Sequence, residues 1–140
     1  ERIKDLFKTS NGKYIAPQQV ESLLLVDKFI DQVAVIADQR KFVSALIVPE
    51  FRLVEDWARE HHIAFSSRED LCANEQVKKM LQERINTLQQ QLAYYEQIKR
   101  ITLLPHHFSM ESGELTNTLK IRRPIINKNY QAEIDKMYEE

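Results

Sequence analysis

The sequence of 140 residues contains very little cysteine, glycine and proline. Its single cysteine, Cys72, excludes a disulfide within the chain and fits a reducing compartment. The two glycines and four prolines are few for this length, which favours long regular elements over a loop-rich fold. There is also no secretory signal pattern and no apolar run long enough to span a bilayer.

An excess of charge of either sign is also missing. The sequence has 20 Lys and Arg against 21 Asp and Glu, a net charge of -1. This balance gives no indication of a nucleic-acid partner or of an anionic membrane surface. A nucleic-acid binder would depend on six basic residues without interleaved exposed aromatics, so we expect no nucleic-acid partner. These six are Lys99, Arg100, Lys120, Arg122, Arg123 and Lys128.

Two pairs of histidines, His61-His62 and His106-His107, raise the question of a zinc site. Side chains of adjacent residues do not converge on one point in either a helix or a strand. No cysteine or carboxylate cluster accompanies the histidines, and zinc sites need three or four converging ligands. The sequence therefore predicts no metal site.

The hydrophobic pattern predicts an α+β fold. The first element is a β-hairpin over residues 2–15, because Asn11 and Gly12 both tolerate the positive φ of a tight turn. Apolar runs then predict three strands, and the first two lack polar alternation, which indicates a sheet covered on both faces. The strands are predicted at 33–37, 42–48 and 101–104, and helices at 17–26 and 51–61. We predict a small mixed sheet of about three strands flanked by helices.

Two further helices are predicted in the second half of the chain. The Ser66–Glu69 pattern is typical of a capping box. After it, apolar residues step along one long helix, and they are Val77, Leu81, Ile85, Leu88, Leu92 and Tyr95. The stripe lasts under three heptads, so we expect it to pack on the sheet. The alternative is a freestanding protein-interaction module, which requires a contiguous exposed apolar stripe on this helix.

A final amphipathic helix, opened by Pro124, is predicted from the spacing of Ile126, Tyr130, Ile134 and Met137.

The most informative stretch is residues 111–124. A polar loop at 116–118 is followed by a short alternation, which places Leu119 and Ile121 on one side as apolar anchors of the lysine stem. Lys120 and Arg122 are predicted on the other side. A lysine ammonium is a compact point charge suited to an oxygen that carries negative charge. Taken alone, this lysine is more typical of a solvated side chain after a surface loop.

Residues 113–123, Gly-Glu-Leu-Thr-x-Thr-Leu-Lys-x-Arg-Arg, resemble the C-terminal lysine motif of long-chain fatty acyl-CoA synthetases. These enzymes are members of the adenylate-forming superfamily. The resemblance implies that Lys120 is the catalytic residue that bridges the acyl carboxylate and the nucleotide during adenylation. The family usually has proline where this sequence has Asn117, so we expect a looser loop with the lysine retained.

Residues 2–21 are similar to the segment that opens the mobile domain of the same synthetases. The similarity implies that Arg2 contacts the nucleotide and that Lys4 is the hinge about which the domain rotates. It also implies that Gly12 and Lys13 lie along the path of the CoA pantetheine arm. The family usually has glycine or aspartate where this chain has Glu1.

The resemblance covers the chain end to end and is strongest at 2–21 and 111–123. It implies that residues 1–140 are a single C-terminal mobile domain of a long-chain fatty acid–CoA ligase, without its large N-terminal adenylation domain. The full-length enzyme would use ATP, CoA and Mg²⁺ to convert a fatty acid through an acyl-adenylate to acyl-CoA. We expect the isolated domain to be inactive and to hold no cofactor tightly. We expect a cytoplasmic enzyme, with peripheral membrane association left open.

Overall fold

The structure, a computed structural model, describes residues 5–139. In the described residues a pair of short strands precedes a three-stranded sheet, and six helices surround that sheet. The elements are β1 (Phe7–Lys8), β2 (Tyr14–Ile15), α1 (Pro17–Leu24), β3 (Ile30–Ile36), β4 (Val43–Pro49), α2 (Phe51–Glu60), α3 (Arg68–Ala73), α4 (Glu75–Leu88), β5 (Ile98–Leu103), α5 (Arg123–Asn129) and α6 (Gln131–Met137). The predicted α+β class is confirmed.

The sheet has the strand order β3-β4-β5 and is mixed, as predicted. β3 runs antiparallel to β4, with Ile36 opposite Ser44, whereas β4 and β5 are parallel. A parallel pair needs a long crossover connection, and α2, α3 and α4 provide it. Every residue of the central strand β4 is buried, which agrees with its unbroken apolar sequence and with coverage of both faces.

The prediction of one long helix through Tyr95 is wrong, because α4 ends at Leu88. The next residue, Gln89, is buried, and its side chain bonds to both backbone groups of Ile98 at the start of β5. The N–H of Ile98 donates to Oε1 of Gln89 at 2.7 Å, and Nε2 of Gln89 donates to the carbonyl of Ile98 at 2.9 Å. The chain reverses at this point, and Leu92 packs on the core from the loop that follows.

The predicted Ser66–Glu69 capping box is wrong, because Ser67 is the N-cap and it opens a separate short helix, α3. The hydroxyl of Ser67 accepts from the N–H of Asp70 at 3.0 Å, and the carboxylate of Asp70 accepts from the N–H of Ser66 at 2.9 Å. α4 has its own cap, Asn74, whose side chain accepts from two backbone N–H groups in its first turn.

The predicted final helix is also interrupted. Tyr130, with φ -117° and ψ 25°, separates α5 from α6. Its ring packs edge-on against Phe108, with 5.9 Å between the ring centroids. The predicted core positions Ile126, Ile134 and Met137 are nevertheless buried, so the break turns α6 without exposing the apolar face.

The apolar stripe of α4 lies in the core. Val77, Leu81 and Ile85 are completely buried, and the helix packs against β5 and α1. α4 therefore lacks the exposed apolar stripe that the alternative of a freestanding interaction module requires. Among residues 5–139, no helix is both long enough and apolar enough to cross a membrane.

Replacement of Leu81 by alanine should strongly destabilise the domain. The substitution leaves a cavity where α4 packs on the sheet, and such cavities cost about 2–5 kcal/mol of unfolding free energy. Urea denaturation of the Leu81→Ala variant should show a lowered midpoint. The control is Lys79→Ala on the exposed face of the same helix, which should stay within about 0.5 kcal/mol of the parent. Equal effects of the two substitutions would contradict the assignment of this face to the core.

Candidate functional site

Lys120 lies in a compact loop, residues 114–122 (the lysine loop), whose two sides are joined by an isolated antiparallel bridge between Leu115 and Ile121. The N–H of Thr116 donates to the carbonyl of Lys120 at 2.8 Å, and the N–H of Lys120 donates to Oγ1 of Thr116 at 3.1 Å. The backbone on both sides of the lysine is therefore fixed by hydrogen bonds. The Lys120 side chain itself is exposed to solvent.

The predicted alternation around Lys120 is wrong at Leu119. This residue has φ 63°, in the left-handed region, and its side chain is 66% exposed. A branched side chain adopts this conformation only where the surrounding structure imposes it, and such positions concentrate at functional sites. Leu119 therefore does not anchor the lysine stem. It completes a tight turn closed by its N–H, which donates to the carbonyl of Thr116 at 2.9 Å.

The base of the lysine loop is held by Glu114, which is buried. Its two carboxylate oxygens accept from Oγ of Ser112 at 2.8 Å and from Nδ2 of Asn129 in α5 at 3.0 Å. Its backbone carbonyl accepts from the N–H of Arg122 at 2.8 Å. Burial, and then the neighbouring Glu114 carboxylate, raise the pKa of Tyr130 to about 12. Glu114 therefore links the entry to the loop with the helix that follows it.

A second buried carboxylate, Glu21 of α1, holds the exit from the loop. Nη1 and Nη2 of Arg123 each donate to one oxygen of Glu21 at 2.7 Å. The N–H of Val35 in β3 donates to Oε2 of Glu21 at 2.8 Å. Sequence reasoning assigned no role to this pair. Its only sequence signal is a glutamate on the apolar side of a helix, between the buried residues Val20 and Leu24.

The predicted hairpin is confirmed in its described part, with shorter strands than expected. Phe7 lies opposite Ile15 in an antiparallel pair, and the turn places Gly12 at φ 85°. The N–H of Thr9 donates to the carbonyl of Lys13 at 2.8 Å. A Cβ atom at Gly12 would meet no atom within 4 Å, so the tip of the turn is open.

The hairpin rests on the turn between β3 and β4. The N–H of Ser10 donates to the carbonyl of Arg40 at 2.9 Å, and the N–H of Gln39 donates to the carbonyl of Lys8 at 2.8 Å. These bonds attach the hairpin near its turn to the turn between β3 and β4, while Gly12 stays open.

Lys13 lies beside Gly12 and is also exposed. Its Nζ is 5.2 Å from the centroid of the Tyr95 ring, which comes from the end of the crossover connection. This cation–π contact positions the ammonium without neutralising it. Tyr95 was predicted as part of a helix stripe, and the structure places it under a candidate site residue instead.

The bases of the two loops meet at a cleft of about 280 Å³. Its lining includes Phe7 of the hairpin and residues 34–37 at the end of β3. Ile121 of the lysine loop and Arg123 at the start of α5 also line it. The guanidinium of Arg123 lies 5.2 Å from the centroid of the Phe7 ring.

The predicted site residues do not converge on this cleft. Lys120, Gly12 and Lys13 are absent from its lining and are exposed to solvent. The predicted nucleotide contact Arg2 and the predicted hinge Lys4 lie outside the described residues.

Within residues 5–139, no group of three or more His, Cys, Asp and Glu side chains is arranged to hold a metal ion. One histidine of the paired motifs, His107, has its Nε2 2.8 Å from the carboxylate of Asp31.

Some of the basic residues form hydrogen bonds within the domain. Nη1 of Arg100, for example, donates to the carbonyls of Met137 and Glu139, both at 2.7 Å.

The fold and the two exposed loops define a small α+β domain that presents a lysine and a glycine turn outside its core. Residues 4–140 match the family model described as the AMP-binding enzyme C-terminal domain. The chain belongs to this family. The resemblance to long-chain acyl-CoA synthetases is confirmed by the relatives that follow.

The chain is 35% identical over 141 residues to long-chain-fatty-acid–CoA ligase 1 of Homo sapiens, covering 99% of this chain and 20% of that protein. It is 31% identical to long chain acyl-CoA synthetase 2 of Arabidopsis thaliana, covering 100% of this chain and 22% of that protein. The chain thus spans about a fifth of the length of these relatives.

Among solved structures, the adenylation domain of the carboxylate reductase from Mycobacterium chelonae has the same fold. The TM-score is 0.81 at 20% identity, over 99% of this chain and 20% of that chain.

The raised pKa of Tyr130 predicts a loss of stability at alkaline pH. The folded state keeps this proton up to a pKa of about 12, whereas an unfolded tyrosine loses it near its ordinary pKa of 10. Stability therefore falls as the pH rises from 10 towards 12, because only the unfolded state gains by ionisation. Urea midpoints at pH 9 and pH 11 should differ less for Tyr130→Phe than for the parent.

The control for this measurement is Tyr94→Phe, at an exposed tyrosine of the crossover connection. It should leave the difference between the two midpoints unchanged. An equal reduction in both variants would show that the effect does not come from the environment of Tyr130.

Proposed function

We propose that this chain is the C-terminal mobile domain of a long-chain fatty acid–CoA ligase and that it acts with its own N-terminal adenylation domain. The observation that carries the proposal is Lys120, exposed on a hydrogen-bonded loop in a chain that matches the family over residues 4–140. The similarity to human and plant long-chain ligases supports fatty acid, ATP and CoA as the substrates.

The proposed reaction has two steps. A carboxylate oxygen of the fatty acid attacks the α-phosphorus of ATP and expels pyrophosphate, which gives an acyl-adenylate. The sulfur of CoA, after loss of its proton, then attacks the acyl carbon and expels AMP. The first step brings two anions together, so positioning and electrostatic stabilisation must supply most of the catalysis.

Lys120 is proposed to supply this stabilisation. Its ammonium can interact with both the carboxylate and the phosphate oxygens as they approach. The hydrogen bonds between Lys120 and Thr116 fix the backbone, so the position of the charge depends on the lysine side chain alone. Arg2 is proposed to contact the nucleotide in the same step.

The hairpin is proposed to serve the second step. At Gly12 the backbone has no Cβ and nothing within 4 Å on that side, so the pantetheine arm of CoA can approach closely. Lys13 lies next to it, held over Tyr95. The two exposed loops cannot both enter one site at once, so we propose that the domain rotates about Lys4 between the steps.

Other properties of the full-length enzyme belong to the same proposal. Mg²⁺ would accompany ATP, but no carboxylate cluster in residues 5–139 fits a metal, so no step of this domain is assigned to the ion. The isolated domain is proposed to be inactive and to hold no cofactor tightly. The full-length enzyme is proposed to be cytoplasmic, with no nucleic-acid partner and with peripheral membrane association open to test.

The Lys120→Ala variant of the full-length enzyme tests the proposal. Fatty-acid-dependent exchange between ATP and pyrophosphate should fall about 10²–10³-fold, as when one charge-stabilising donor is removed. Thioester formation from supplied acyl-adenylate should be retained, because the lysine charge is needed only in the first step. The control is Lys79→Ala on the exposed face of α4. Equal losses in the two half-reactions would overturn the assigned role of Lys120.

Gly12→Leu should have the opposite effect. The leucine side chain would project along the proposed pantetheine path, so thioester formation should fall while pyrophosphate exchange survives. The matched control is Gly12→Ala, which shares the strain of a side chain at φ 85° but adds only one carbon. If alanine is as damaging as leucine, the glycine is required for its turn conformation and not for access of CoA.

A further inference from the structure

Arg123 lies between the two loops to which the proposed function assigns opposite half-reactions. It begins α5 directly after the lysine loop, and its guanidinium faces the base of the hairpin. We infer that Arg123 is a positioning residue that holds the lysine loop and the hairpin in one fixed arrangement on the core. The structural part of this inference stands alone, and its consequence for catalysis rests on the proposed function.

The contact between the half-buried Arg123 and the buried Glu21 is an ion pair with two parallel hydrogen bonds. Both distances are 2.7 Å, and Glu21 is 6% exposed. A fork of two bonds fixes the orientation of the guanidinium plane as well as its distance. If the arginine is removed, a carboxylate stays behind in a buried place without its cation, which is strongly unfavourable. The exit from the lysine loop is therefore fixed firmly to α1.

The same pair reaches the central sheet. Oε2 of Glu21 also accepts the N–H of Val35 in β3, at 2.8 Å. On the other side, the backbone bond from Arg122 to Glu114 and the bridge at Ile121 continue directly into the lysine loop. A shift of Arg123 would therefore move the backbone that carries Lys120, three residues away.

The hairpin contacts Arg123 through Phe7, whose ring lies 5.2 Å from the guanidinium. Phe7 is opposite Ile15, which is completely buried, so this ring is joined to the core side of the hairpin. A planar guanidinium can lie against a ring and still donate two bonds within its own plane. A lysine ammonium cannot do both, so Arg123→Lys keeps the charge and loses the joint contact.

Hydrogen exchange of the 140-residue chain tests the structural part. Arg123→Met should raise amide exchange in both the hairpin and the lysine loop by about tenfold under conditions where the fold is retained. The amides of Thr9, Ser10, Thr116 and Arg122 report on these two segments, because each donates a backbone hydrogen bond. Arg123→Lys should raise exchange in both segments to a smaller extent.

Arg59→Met is the matched control. Arg59 also pairs with a carboxylate, Asp56 at 3.1 Å, and also faces a ring, Phe65 at 5.4 Å, but its pair is exposed and local. It should leave exchange in both loops unchanged. If Arg123→Met affects the lysine loop alone, the inference is overturned. If that variant does not fold, Arg123→Lys decides. Raised amide exchange in both segments supports the inference, and raised exchange in only one segment or in neither overturns it.

Kinetics of the full-length enzyme test the catalytic consequence. Arg123→Lys should lower kcat of both half-reactions about tenfold with KM for ATP little changed, because misplaced groups cost rate and not binding. A residue with only a stabilising role would leave kcat unchanged well below the unfolding temperature. Raised amide exchange in both segments together with an unchanged kcat would refute the catalytic consequence. A full rate for Lys120→Ala would instead refute the proposed function and leave the exchange result standing.

Discussion

The buried carboxylate of Glu21 is the constraint on which the arrangement of this domain depends. A carboxylate in such a place must be paired and hydrogen-bonded, because its desolvation is otherwise too costly. Its partners are the guanidinium of Arg123 and the N–H of Val35, which belong to α5 and β3. One charge on the first helix therefore determines how the C-terminal part of the chain lies against the sheet.

Polar side chains that fix distant segments by hydrogen bonds also occur elsewhere in the domain. The carboxylate of Glu114 holds Asn129, and the amide of Gln89 holds the first residue of β5. The hydroxyl of Tyr138 donates to the carbonyl of Phe42 at 2.7 Å and so fixes the end of the chain on the sheet. A sequence with so little glycine and proline has few residues that specify turns by themselves. Its loops are instead fixed by polar side chains that satisfy backbone and side-chain groups far away in the sequence.

This explains what the sequence could and could not predict. The strands were predictable because unbroken apolar runs report burial, and the hairpin because Asn-Gly specifies a turn locally. The ends of the helices at Leu88 and Tyr130 were not, since the apolar period continues through both and the break depends on tertiary partners. The pair of Arg123 with Glu21 joins residues 102 positions apart, and no local pattern reveals a partner at that distance.

The exposure of Lys120 is consistent with the proposed function. Under the proposed function, the charge of Lys120 enters the active site of another domain, and burial in its own domain would tie it to partners whose loss is strongly unfavourable. The same proposal requires a fixed backbone around the lysine, since a positioned charge stabilises a transition state without reorganisation. A tight loop closed by Thr116, with Leu119 forced to positive φ, satisfies both requirements. The domain therefore combines a solvated lysine with an ordered backbone, and the order comes from the buried carboxylates on either side of the loop.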